Sequence, residues 1–256
     1  MPNDLPVQLS ADSPGDPWAS LRAFTGARIA LGRTGTSVPL RESLAFRLAH
    51  AHARDAVYSI LAVEQLLADL GQFQLGLCQV RSQAQNRQEY LQRPDLGRKL
   101  DEASKTLLTE QAAACDIAII LADGLSATAI NEHAVPLLRL LLPQLQQAGF
   151  RLAPITLAEQ ARVALSDEIG ALLKARLTLM LIGERPGLSS PDSLGAYFTY
   201  GPKPGLTDEA RNCVSNIRSE GLVYSLAADK LFFLLQEALR RQLSGVGLKD
   251  ESGLLN

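Results

Sequence analysis

Leu177-Thr-Leu-Met-Leu-Ile-Gly-Glu-Arg-Pro-Gly-Leu188 is the stretch whose reading decides the fold. The apolar run stops at Gly183, and Glu184 and Arg185 stand side by side before Pro186-Gly187. An apolar run that ends in a glycine-flanked polar turn is how a buried strand delivers side chains to the carboxyl edge of an α/β sheet. In open α/β sheets that edge is where ligands bind. Cys115 to Thr128, CDIAIILADGLSAT, repeats the design. The two turns therefore read as two lips of one site.

Working outward, strand-like and helix-like patterns alternate. Gln74–Val80 reads as the first strand, and Pro94 starts a helix that runs to about Ala113. A strand over Asp116–Leu121 and a long helix over Thr128–Gln147 follow. The apolar residues of that helix, from Ile130 to Leu145, cover so much of its surface that it must be largely buried. Arg151–Ile155 is expected as a strand, Asp167–Ala175 as a short helix and Arg176–Ile182 as a strand. Ala196–Tyr200 is a shorter aromatic strand near an edge, and Leu222–Leu243 the last helix. Such alternation implies βαβ units and a parallel sheet flanked by helices, an α/β fold.

The N-terminal portion is different. Residues 1–16 are rich in Pro, Asp, Ser and Gly and read as a disordered tail. Asp16-Pro17 starts a short helix to Phe24, residues 27–36 form a glycine-punctuated basic loop, and Pro39 opens a helix through about Arg54. Leu40, Leu44, Leu48 and Ala51 share one stripe of that helix. A further helix covers Ile60–Leu70 and ends at Gly71. Residues 17–70 are thus expected to be a helical appendage to an α/β domain over 71–256. Arg28, Arg33, Arg41, Arg47 and Arg54 are opposed there by Glu42 alone. They form either a solvated face or a face for an acidic partner or anionic ligand.

The bulk composition narrows the function. The chain has 256 residues, 46% of them apolar and 20% charged, which allows a sizeable core. A net charge of −2 argues against a dedicated nucleic-acid binder. Three widely spaced cysteines, Cys78, Cys115 and Cys213, fit a reducing compartment better than a disulfide framework. The first residues have neither a basic nor an apolar signal region, and Arg139 interrupts the most leucine-rich stretch. A soluble cytoplasmic protein without membrane or nucleic-acid partners is the expectation.

Common site chemistries are then tested. No G-x-G-x-x-G follows a strand, and G-x-x-x-x-G-K-[ST] is missing. Gly124-Leu-Ser126-Ala-Thr lacks the second glycine of a nucleophile elbow. His50 and His52 point to different faces of one helix and His133 stands alone, so no protein-held metal is expected and the histidines read as surface or interface residues. Cys115 reads as core. Cys213, in a polar stretch from Thr207 to Ile217, is open to packing or to a site role. Glu184 is open to an ion pair with Arg185 or to accepting hydrogen bonds from a ligand. Asp123-Gly124-Leu125-Ser126 offers backbone N–H groups and a hydroxyl at the start of the long helix.

Five stretches taken together, in order, carry a resemblance. They are Ala27-Arg-Ile-Ala-Leu-Gly-Arg-Thr-Gly35, Tyr90-Leu-Gln-Arg-Pro-Asp-Leu-Gly-Arg98, Ala122-Asp-Gly-Leu-Ser126, Gly183-Glu-Arg-Pro-Gly-Leu188 and Arg211-Asn-Cys-Val-Ser-Asn-Ile217. From about Trp18 to Gly247 the chain resembles the small subunit (light chain) of ethanolamine ammonia-lyase, an adenosylcobalamin-dependent radical enzyme. The resemblance implies a Rossmann-like α/β domain with a helical N-terminal part. It implies that the chain helps hold the cofactor at an interface with a large subunit, within a heterododecamer. The large subunit would carry the catalytic residues that convert ethanolamine to acetaldehyde and ammonia, with none here. By motif alignment the cobalamin contacts fall on Val163, Glu184 and Cys213, with Ser126 and Arg162 as neighbours. No histidine lies in a D-x-H-x-x-G context, so the resemblance implies a base-on cofactor with no protein ligand to cobalt. Some members begin with an amphipathic helix suited to packaging in a bacterial microcompartment, and residues 1–15 show no such periodicity. The rival expectation is a non-catalytic Rossmann-like nucleotide-binding or assembly module.

Overall fold

The computed structural model describes residues 18–250, so the expected tail over 1–16 and the helix start at Asp16-Pro17 lie outside the described residues. The chain divides into two compact units between Ala51 and His52. In the first, Ala19–Phe24 is a 3-10 turn, and α1 (Leu40–Val57) begins there and runs on into the second. The Arg28 guanidinium lies 5.9 Å from the centroid of the Phe46 ring. Leu40, Leu44 and Leu48 form the expected stripe and all three are exposed.

The second unit is built on a six-stranded sheet in the order β1-β3-β2-β4-β5-β6. The strands are β1 (Leu77–Arg81), β2 (Cys115–Ala122), β3 (Ile155–Glu159), β4 (Ala175–Gly183), β5 (Leu194–Tyr200) and β6 (Asn212–Ile217). β2 and β4 are the central pair, with Ile117 opposite Leu177 and Ala122 opposite Ile182. Every residue of β2 is buried, because alternate side chains serve opposite faces. Ile117, Ile119 and Leu121 join one apolar cluster, whereas Ala118, Ile120 and Ala122 join another.

The first cluster is closed by α2 (Val63–Leu70), α5 (Ala127–Gln147) and α7 (Tyr224–Arg241), which supply Leu66, Leu137, Leu138 and Leu235. The second is closed by α4 (Glu102–Glu110) and α6 (Leu165–Leu172), through Leu108, Leu165 and Ile169. Side chains buried this completely typically cost about 2–5 kcal/mol when truncated to alanine. α5 is buried along most of its length, as its composition requires.

The sheet differs from the all-parallel expectation. β1 to β4 are parallel, but β5 pairs antiparallel with both β4 and β6, so the sheet is mixed. A parallel return needs a long crossover, usually a helix, and the chain from Glu184 to Ser193 contains none. It therefore turns straight back along β4. β6 has no counterpart among the expected elements. It is an edge strand with only Val214 and Ile217 buried, and its exposed partners Cys213, Ser215 and Asn216 make it read as a polar loop.

Two further boundaries shift. The third strand, expected over Arg151–Ile155, runs over Ile155–Glu159. Leu152 makes only an isolated bridge to Ile117, and Pro154 has no N–H to pair. The helix expected from Pro94 to Ala113 starts late: Leu96–Arg98 is a 3-10 turn and the α-helix covers only Glu102–Glu110, while a short helix precedes Pro94. α3 (Arg87–Gln92) is capped by the Asn86 side chain, which accepts from Glu89 N, and ends before Pro94. α4 starts at the Asp101 cap, whose carboxylate accepts from Ser104 N at 2.8 Å. No helix among the described residues is long and apolar enough to cross a membrane.

Candidate functional site

The carboxyl ends of β2, β3 and β4 lie side by side, and each leads into a different kind of loop. β2 leads into Asp123-Gly124-Leu125-Ser126. The N–H groups of this turn are used within the protein: Leu125 N donates to Gly183 O at 2.9 Å and Ser126 N to Asp123 O at 3.2 Å. The Ser126 hydroxyl is fully buried and donates to Pro191 O at 2.9 Å. The turn touches the next strand directly. Gly124 has φ +54, and a Cβ on it would collide with the Gly183 carbonyl. A Cβ on Gly183 would in turn collide with the carbonyl of Ser126 and approach that of Asp123 to 2.8 Å. The two lips therefore meet, and the first is closed against the second.

β4 leads into the Glu184 turn, which is open. The Glu184 carboxylate accepts from the Ser193 hydroxyl through a short bond, from the Ser215 hydroxyl at 2.6 Å and from Asn216 N at 3.2 Å. Ser215 uses Oε1, and Ser193 and Asn216 share Oε2. A carboxylate has about four lone-pair directions, so acceptor capacity remains on Oε1. Among the described residues Glu184 forms no ion pair with Arg185, which is exposed. Hydroxyls and an amide, not a guanidinium, hold the carboxylate in place. Glu184 lines a hollow of about 610 Å³ with Arg185, Ser193, Tyr197, Ser215 and Asn216.

β3 leads into Gln160-Ala161-Arg162-Val163. Arg162 and Val163 line a second, larger hollow of about 960 Å³, whose opposite wall carries Tyr197, Arg211 and Cys213. Tyr197 lines both hollows and sits opposite Cys213 in the β5–β6 ladder. Burial pushes the Tyr197 phenol well above its ordinary value, so the hydroxyl is protonated. Burial also raises the Cys213 thiol; the bond from Tyr197 opposes this and the Glu184 charge reinforces it. Cys213 reaches the surface at the groove, but its sulphur is crowded enough to stay a thiol. A protonated thiol is a weak nucleophile.

The floor of the larger hollow is an ion pair. Arg211 Nη2 lies 2.7 Å from Asp167 Oδ2, with side chains only 3% and 2% exposed. Burial pushes the Asp167 carboxyl up to about 6, against the pull of Arg211. Arg211 also donates to the carbonyls of Leu206 at 3.2 Å and Thr207 at 3.3 Å, fixing the loop that forms the rim.

Of the five residues singled out from the sequence, Arg162, Val163 and Cys213 meet in one hollow and Glu184 lines the adjoining one. Ser126 lines neither. Sequence reasoning missed Tyr197, Asp167 and Arg211. A short aromatic strand over Ala196–Tyr200 was legible, but the pairing of Tyr197 with Cys213 was not. His133, expected at a surface or interface, is buried: Nδ1 faces Tyr224 Oη at 2.8 Å and Nε2 faces Asp192 Oδ2 at 3.1 Å.

The sequence matches the family described as ethanolamine ammonia-lyase light chain (EutC) over residues 15–249. The chain belongs to that family. It is 54% identical to the ethanolamine ammonia-lyase small subunit of Pseudomonas fluorescens SBW25, covering 96% of this chain and 90% of that protein. It is 56% identical to the small subunit of Azotobacter vinelandii, covering 93% and 89%, and 55% identical to that of Pseudomonas putida F1, covering 94% and 90%. The ethanolamine ammonia-lyase light chain is thus a subunit of a lyase, and the match spans both hollows, the Glu184 turn and β6.

Proposed function

We propose that this light chain holds adenosylcobalamin where it meets a large subunit, and that the large subunit carries the groups that act on ethanolamine. The observation that carries the reading is Tyr197, which joins the Glu184 hollow to the Arg162–Val163–Cys213 hollow in one continuous wall. Such a wall suits a ligand too wide for a single pocket. Its donor set also fits a corrinoid. The corrin rim carries neutral amides, and Glu184 retains acceptor capacity for one of their N–H groups. Val163 supplies an apolar face and Cys213 a protonated, uncharged one.

When bound, the cofactor supplies a carbon radical by homolysis of its cobalt–carbon bond. The chain's own task is to bind, to orient and to exclude water. The reading includes a base-on cofactor, since His50, His52 and His133 stand outside any cobalt-ligating motif and both ring nitrogens of His133 face other partners. It also includes a Rossmann-like description of the parallel β1–β4 core, a heterododecameric assembly and a cytoplasmic location. Packaging in a bacterial microcompartment is the less favoured arm, because residues 1–15 lack amphipathic periodicity.

The test is co-expression with a large subunit. The complex is expected to co-purify, to show a cobalamin absorbance spectrum after incubation with hydroxocobalamin, and to deaminate ethanolamine with adenosylcobalamin. A large subunit that binds hydroxocobalamin equally well with and without this chain overturns the reading. An isolated chain that deaminates ethanolamine overturns the division of labour.

A further inference from the structure

The loop that presents Arg162 and Val163 is held from more directions than folding of β3 requires. Gln160 sits at φ +53, a left-handed conformation that costs a non-glycine residue energy and persists only where neighbours impose it. Those neighbours are identifiable. The carboxylate of Asp123, at the end of the adjacent strand β2, accepts from Gln160 N at 2.9 Å through Oδ2 and from Ala161 N at 3.0 Å through Oδ1. Ser82 donates to Gln160 O at 2.7 Å, and the Tyr90 hydroxyl donates to Ala161 O at 3.1 Å. Arg162 N donates to Gly97 O at 2.8 Å.

The side chain of Arg162 is fixed as well. Its guanidinium stacks 4.2 Å from the Tyr90 ring centroid and donates through Nη2 to Tyr90 O at 3.0 Å. Arg87 covers the same ring at 4.8 Å, so Tyr90 is clasped by two guanidinium groups. Arg87 Nη1 also lies 3.7 Å from Asp123 Oδ2 and donates to Gly124 O at 2.7 Å, tying the clasp back to the carboxylate. Gly97 is required for this closeness: a Cβ there would lie 2.9 Å from Arg162 Cγ and 3.1 Å from the Tyr90 ring. Asp123 and Tyr90 line neither hollow: the Asp123 carboxylate and the Tyr90 hydroxyl bond the loop at Gln160 and Ala161, before its wall begins, and the Tyr90 carbonyl accepts directly from Arg162.

We infer that Asp123 and Tyr90 are positioning residues for the cofactor, acting through the Gln160–Ala161 backbone to set Arg162 and Val163 at the wall of the larger hollow. The inference rests on the proposed function above. The physical reason is pre-organisation. A flexible 160–163 loop would have to be ordered at each binding event, and that cost would come out of the affinity. A loop already satisfied at Gln160 N, Ala161 N, Gln160 O and Ala161 O has little left to order. The carboxylate suits the task because both of its oxygens only accept. An amide in its place would turn one of them into a donor facing a backbone N–H.

The experiment uses the complete complex with its large subunit and compares wild type, Asp123→Asn and Tyr90→Phe. Hydroxocobalamin affinity is measured by absorbance titration. KM for adenosylcobalamin, KM for ethanolamine and kcat at saturating cofactor are measured alongside. Asp123→Asn is expected to weaken hydroxocobalamin binding on the order of tenfold, and Tyr90→Phe, which keeps the ring and its two cationic neighbours, about fivefold. KM for the cofactor should rise in step, with kcat and the ethanolamine KM within about twofold of wild type. A purely structural role would lower the yield of assembled complex without splitting these constants. Should Asp123→Asn fail to assemble, Tyr90→Phe alone decides. Assembled variants with wild-type hydroxocobalamin affinity overturn the inference and leave the proposed function standing. A wild-type complex that gains no hydroxocobalamin affinity from this chain overturns that function instead.

Discussion

The ends of β2 and β4 look alike in sequence and do opposite things. Each is an apolar run that stops at a glycine turn carrying an acid: Asp123-Gly124 after β2, Gly183-Glu184 after β4. Asp123 is 4% exposed and its carboxylate is spent on backbone N–H groups of the neighbouring loop. Glu184 is half-buried at the rim of a hollow, held by two hydroxyls and one amide with capacity to spare. One acid organises protein and the other faces outward. The difference lies in the next element of the chain. After Asp123 the chain enters α5 at once, and α5 is a buried helix that draws the turn inward. After Glu184 it enters a loop that returns as an antiparallel strand, which leaves the turn at the surface.

The largest expected effect separates the two turns where they touch. Gly183→Ala would drive a methyl group into the Ser126 carbonyl. Since backbone atoms lie on both sides, relaxation is difficult, and a loss of about 3 kcal/mol is expected, near the upper end for overpacking. Urea unfolding of the chain measures it. A loss below about 1 kcal/mol would mean that the two lips are not packed against each other.

Next is pH. Burial pushes the Asp123 carboxyl up to about 6, with the N–H groups of Ala161 and Gln160 and the Arg87 charge opposing the shift. A folded-state value above the unfolded one near 4 means that the folded state binds the proton more tightly. The resulting stabilisation is fully present below about pH 4 and is lost as pH rises through about 6. From the shift it amounts to something on the order of 2–3 kcal/mol. Stability curves of wild type and Asp123→Asn between pH 4 and 7 should therefore diverge in slope, wild type falling more steeply. Parallel curves would show that Asp123 titrates normally.

The smallest effects sharpen the contrast. Ser126→Ala should cost about 1 kcal/mol of stability, by stranding the Pro191 carbonyl, and leave hydroxocobalamin affinity of the complex unchanged. Glu184→Ala should do the reverse: stability within about 1 kcal/mol of wild type, and cofactor affinity weaker by about 1–3 kcal/mol. If the two variants behave alike, Glu184 belongs to the scaffold as much as Ser126 does.

Much of the fold is legible in the chain. Length and apolarity are enough to identify β2 and β4, because strands buried on both faces must be apolar throughout. The burial of α5 follows from its composition for the same reason. The late start of α4 follows from the Asp101 cap, and the displaced third strand is a local matter that the chemistry of Pro154 explains. β6 is not legible, because an edge strand with one wet face carries the composition of a loop. The resemblance to the light-chain family points to Val163, in Gln160-Ala-Arg-Val-Ala, to Glu184 and to Cys213 without saying how they come together.

The sequence by itself determined the α/β class, the central strands and the family, since these depend on local periodicity and on ordered motifs. The tertiary structure alone decided that the sheet is mixed, that Tyr197 joins two hollows and that Asp123 reaches across to Gln160 and Ala161. Each of these depends on which strand lies beside which. Neighbouring positions in the order β3-β2-β4 are far apart in the chain, and hydrogen bonds between them leave no periodic trace in the sequence.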